Sequence, residues 1–202
     1  MGEAAAKSFY TIDDYIELEE NSHEKYEYHN GEVFMMAGTM PNHSLVSTNF
    51  ARGIGNALKG RDCSPFDGGL RIYVESMDVI LHPDISVICG KVETHETKKS
   101  LVINPMVIIE VLSESTEGYD RGDKFAIYRQ IPSFKEYILV SQREALIETY
   151  YREDETLWHI NRITGLDSQV YIRSLDITIS LSGIYDRVEF EPMPPKKIQY
   201  LD

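Results

Sequence analysis

VIIEVLSEST, residues 107–116, sets a glutamate in the middle of a run of apolar and β-branched residues. Val107, Ile108, Ile109, Val111 and Leu112 leave no polar alternation, so the run reads as a strand buried on both faces. An unpartnered carboxylate inside such a strand costs several kcal/mol, and ~1–3 kcal/mol even when partly compensated. Glu110 therefore needs a counter-charge.

The strand before it supplies a second acid. In HPDISVIC, residues 82–89, Pro83 fixes the chain at a strand entrance where no ladder donor is needed, and Asp84 follows, 26 residues ahead of Glu110. If the two strands are neighbours, both carboxylates converge at one edge of the sheet. Converging oxyanions repel unless a cation lies between them, and hard oxygen ligands suit Mg²⁺ or Mn²⁺. On this reading a metal takes the place of water at Glu110. The same residues also carry a plainer reading, with Asp84 as a turn residue and Glu110 in an ordinary ion pair.

With 202 residues the chain is long enough to bury a full core, and one domain over residues 1–202 is expected, with a core from about 10 to 185. EFEPMPPKKIQYLD departs in composition and reads as an extended C-terminal tail over 190–202. A net charge of −13 means that the whole molecule repels phosphate backbones and anionic lipid, so any nucleic acid must be met locally. The pairs Lys98-Lys99 and Lys196-Lys197 read as solvated loops. Cys63 and Cys89 lie in different strands without metal-ligand spacing, which argues against a disulfide framework or a zinc site and fits a reducing compartment. MGEAAAKSFY has no apolar leader and no stretch approaches a membrane span, so a cytoplasmic protein is expected.

Periodicity divides the rest. TIDDYIELEE has Thr11 three residues before Asp14, a capping-box start for a short helix, and KYEYHNGEVFMMAG reads as two strands about Asn30-Gly31. Val46, Phe50, Ile54 and Ala57 predict a helix over 42–59. Strands are expected in 68–75, 82–89 and 101–113, a second helix over 119–131 ending at Pro132, then alternating strands in KEYILVS, ALIETYYRE and TLWHINR and a closing pair in QVYIRS and DITISLSGIYD. The class is α/β (α+β): a mixed central sheet flanked by helices, with additional antiparallel strands.

Four motifs in order then resemble a known family. HPDISVIC, EVLSEST, the D-x-x-x-K-x-x-x-Y spacing of Asp120, Lys124 and Tyr128, and KEYILV are similar to the Uma-type putative restriction endonuclease family of the PD-(D/E)xK nuclease superfamily. Upstream, KYEYHNGE resembles the family's YE-x-x-x-GE, and His43 falls where the family has a histidine at the head of its first long helix. The likeness spans about residues 10 to 185 and implies a restriction-endonuclease-like fold. Where the superfamily has a lysine two positions after the acid this chain has Leu112, and the resemblance implies a relocated lysine, Lys124. The plainer role of Lys124 is a helix pair with Asp120 at i,i+4. His43 and Glu27 complete the implied site, and a capping or core histidine is the plainer reading of His43.

The implied activity is Mg²⁺-dependent endodeoxyribonuclease chemistry on DNA, double-stranded by expectation, with Mn²⁺ as substitute. Asp84, Glu110 and the backbone carbonyl of Val111 would hold the metal, Lys124 would act on the attacking water, and His43 and Glu27 would assist. A homodimer is expected by analogy. The chain departs from the family at Glu114, Ile138 and Ser141, and Glu114, Glu117 and Asp120 make the mouth acidic. The alternatives are a catalytically inactive nuclease-fold binding or regulatory protein, and a purely structural role in which Glu110 pairs with a Lys or Arg.

Overall fold

The computed structural model describes residues 9–36 and 38–190. Residues 191–202 of the expected tail lie outside the described residues.

The N-terminal helix α1 (Ile12–Glu20) begins with the capping box, Thr11 and Asp14 bonding each other's backbone N–H. Asn30 and Gly31 take positive φ values of 46° and 93°, the geometry of a two-residue hairpin between β1 (Tyr26–His29) and β2 (Glu32–Met35). The long helix α2 (Pro41–Ala57) starts on a proline in its first turn and buries Val46, Phe50 and Ile54 on one face.

Among the described residues the strands form three sheets. One has the order β2-β1-β5-β4-β7, with β4 at Arg71–Val74, β5 at Val79–Leu81 and β7 at Leu101–Val102. The larger has the order β11-β10-β9-β8-β6-β3, with β3 at Cys63–Asp67, β6 at Ile85–Cys89, β8 at Val107–Leu112, β9 at Glu136–Ser141, β10 at Leu146–Arg152 and β11 at Trp158–Thr164. Its only parallel pair is β8 with β9, which makes it mixed. A hairpin of β12 (Gln169–Ile172) and β13 (Ile177–Ser180) leads into the short helix α5 (Leu181–Ile184).

The six-stranded sheet is the middle layer. Along β8 the side chains alternate by the period of two: Val107, Ile109 and Val111 join Phe50 and Ile54 of α2, while Ile108 and Leu112 pack on the opposite face with Ile72 and Leu81 of the five-stranded sheet. All six residues of β8 are buried, as VIIEVL predicts. Each fully buried Val or Ile contributes ~1.5–3 kcal/mol to this layer. Glu110 shares the parity of Ile108 and Leu112.

Three expectations are corrected. The expected helix over 119–131 is two short helices, α3 (Glu117–Arg121) and α4 (Asp123–Tyr128), broken at Gly122, whose φ, ψ of −112°, −91° lie outside the helical region. Cys63 and Cys89 are joined in a disulfide, because they stand directly opposite in the antiparallel β3–β6 ladder with Cα atoms 3.9 Å apart. The segment 101–113 also divides at Asn104-Pro105, sending β7 and β8 to different sheets. Among the described residues, no helix is long and apolar enough to cross a membrane.

Candidate active site

β6 and β8 are antiparallel neighbours with Ile85 opposite Ile109, so Asp84, one residue before β6, comes level with Glu110. The backbone locks this meeting. The Asp84 N–H donates to Glu110 Oε2 at 3.2 Å, and the Val111 N–H donates to Asp84 Oδ2 at 2.8 Å. The contact observed for Val111 is thus through its amide. Pro83 and His82 lead into this point. His82 is buried, with Nε2 2.8 Å from Glu19 Oε1 and 3.1 Å from the Tyr15 hydroxyl, and Glu19 also pairs with Arg71.

His43 comes from the first turn of α2, and its Nε2 lies 3.1 Å from Asp84 Oδ2. From the other side α4 delivers Lys124, whose Nζ is 3.0 Å from Glu110 Oε1, 3.4 Å from Glu27 Oε1 and 3.6 Å from Asp120 Oδ1. Glu27 arrives on β1, with Tyr119 donating to its Oε2 at 3.2 Å and His29 3.5 Å away. The five proposed site residues therefore form one continuous cluster.

Burial sets the electrostatics. Removal from water pushes the Glu110 carboxyl up, and Asp84 and Asp120 add to this while Lys124 opposes it. Burial alone would pull the Lys124 ammonium down, but Glu110, Glu27 and Asp120 outweigh it and hold it above the ordinary lysine value. Glu27 is depressed despite its burial by His29 and Lys124. The counter-charge of Glu110 is thus a protein ammonium, joined by the Tyr128 hydroxyl, which donates to Oε1 at 3.0 Å.

Tyr128 and Asp120 are contacts that reasoning from the strands alone does not reach. Their signal is the i, i+4, i+8 stripe of Asp120, Lys124 and Tyr128, which survives the break at Gly122. No equivalent signal marks Tyr119 and His29.

The profile of the family described as "Uma2: Putative restriction endonuclease" matches residues 12–182. The chain belongs to the Uma2 family. This Uma2 chain is 32% identical over 178 residues to an uncharacterized protein of Synechocystis sp., covering 88% of this chain and 92% of the relative. A second uncharacterized Synechocystis protein is 29% identical over 166 residues, covering 82% and 94% of the two chains. Among solved structures, a protein of Anabaena variabilis described as a putative nuclease superposes with a TM-score of 0.69 at 18% identity, over 87% of this chain and 97% of the other. That likeness establishes the fold, and the Uma2 match establishes a restriction-endonuclease-like class.

Proposed function

We propose that this Uma2 protein is an endonuclease that hydrolyses DNA phosphodiester bonds with a divalent cation, Mg²⁺ by preference and Mn²⁺ as substitute. The observation that carries the proposal is the cluster in which Asp84 and Glu110 stand side by side with Lys124 Nζ 3.0 Å from Glu110.

The chemistry of the donors fits such an ion. Glu27, Glu110 and Asp120 are three carboxyl groups around one ammonium, and Asp84 joins the cluster beside Glu110, an acidic set that a divalent cation would offset. The described contacts of Asp84 use Oδ2 and leave Oδ1 outside them. Among the described residues no three His, Cys, Asp or Glu side chains converge to hold a metal by themselves. Asp84, Glu110 and the Val111 carbonyl would therefore share the ion with water and a substrate phosphate, the mode Mg²⁺ favours. When bound, such an ion acidifies an attached water and offsets charge building on the phosphate.

The protein's residues then have distinct tasks. Lys124, held charged, orients the attacking water and offsets charge developing in the transition state. Glu27 keeps the ammonium directed along the site. His43 steadies Asp84 through Oδ2 and is placed to carry a proton.

A binding module on the same fold is the second reading. It is favoured by Leu112 at the usual lysine position and by the complete ion cluster around Lys124. Incubation of supercoiled plasmid with Mg²⁺ separates the two: the nuclease reading expects nicking by the wild type and none by Glu110→Gln, whereas an intact plasmid with the wild type overturns it.

A further inference from the structure

We propose that the substrate strand carries an unpaired base beside the scissile phosphate, and that Phe34 stacks on it. This rests on the nuclease reading and names its substrate class.

Phe34 stands directly opposite Glu27 in the β1–β2 ladder, so the two side chains share one face of the hairpin. His29 shares that face by the period of two, and its ring meets Phe34 edge-on with centroids 5.4 Å apart. Glu27 in turn reaches Lys124 at 3.4 Å. The face thus runs from the ion cluster through Glu27 and His29 to Phe34, which is 52% exposed although it is a large aromatic side chain.

Charge explains what such a ring would do. Residues 25–36, 43–50, 82–86 and 107–128, which build the site, carry three Lys or Arg against eight Asp or Glu. Each of the three cations is engaged: Lys25 donates to the Gly68 carbonyl at 2.7 Å, Arg121 pairs with Glu117 and Glu148, and Lys124 lies within its carboxylates. Binding cannot lean on neutralising a run of phosphates, the main source of affinity for duplex. Stacking on an aromatic ring supplies affinity without charge, and it needs a base whose face is free, which a paired helix does not offer.

The test is fluorescence anisotropy with a labelled single-stranded oligodeoxynucleotide and with its blunt duplex, in Ca²⁺, for wild type, Phe34→Ala and Phe34→Trp. The single strand is expected to bind the wild type more tightly than the duplex. Phe34→Ala should weaken single-strand binding by about 5- to 150-fold, with duplex binding unchanged, and Phe34→Trp should retain it. Equal affinity for both probes, no binding of either, or single-strand affinity indifferent to Phe34→Ala overturns the inference. Plasmid nicking lost in Glu110→Gln alongside such indifference removes this inference and leaves the nuclease reading standing. Phe34-dependent binding without any nicking removes the nuclease reading and leaves the stacking site.

Discussion

Asp84 and Glu110 are held together through each other's strands: the Asp84 N–H donates to Glu110 Oε2 at 3.2 Å, and the amide after Glu110 donates to Asp84 Oδ2 at 2.8 Å. Two carboxyl groups that would repel in water are kept adjacent by backbone geometry, so their positions survive loss of a charge.

Asp84→Asn should therefore fold. The amide oxygen still accepts the Val111 N–H, and thermal unfolding is expected to shift by no more than about 1 kcal/mol. Plasmid nicking should fall by about 100-fold or more, because a metal ligand worth several kcal/mol in the transition state is gone.

Lys124→Met should behave differently. It leaves Glu110, Glu27 and Asp120 buried without their shared cation. Urea unfolding is expected to show a loss of about 3–5 kcal/mol. An unchanged midpoint would mean that the ammonium is dispensable to the fold.

His43→Ala removes a side chain that meets Asp84 from the first turn of α2. Its effect should fall on the ion, with metal affinity or cleavage rate reduced about 10- to 100-fold, the usual consequence of removing a partner of a ligand. Cleavage measured against Mg²⁺ concentration reads this directly.

Acid stability should depend on Glu19. Despite opposing burial, His82 and Arg71 hold its carboxyl down at about 2, below the ordinary value of 4.5. A depressed carboxyl contributes stability above its unfolded value and loses it as pH falls through the folded one. Glu19→Gln should cost on the order of 2 kcal/mol at neutral pH. The gap to wild type should close between about pH 4.5 and pH 2 in a series of urea unfolding curves.

The sequence showed the centre of the fold more clearly than its margins. Residues 107–112 read as a doubly buried strand and the acid there called for a counter-charge, which drew attention to Asp84, whereas Lys124 was legible only through the family resemblance. The capping box at Thr11 and the Asn30-Gly31 turn were legible because each rests on local backbone chemistry. The three-residue strand β5 was not, since Val79–Leu81 is too short to show a period. The helix break was not legible because the i, i+4, i+8 spacing of Asp120, Lys124 and Tyr128 runs across Gly122, nor was the cysteine pair, because strand register is not written in spacing. Glu27 was legible only through the resemblance, as the sequence does not reveal that β1 belongs to a second sheet.

Calorimetric titration of Mn²⁺ into the wild type and Glu110→Gln bears most directly on whether Asp84 and Glu110 share a cation. Since burial disfavours the ionised Glu110 carboxylate that would hold the ion, wild-type binding is expected to tighten as pH rises. Glu110→Gln, folded by circular dichroism, should lose this uptake. Equal Mn²⁺ binding by the two proteins would contradict a metal centre at these residues.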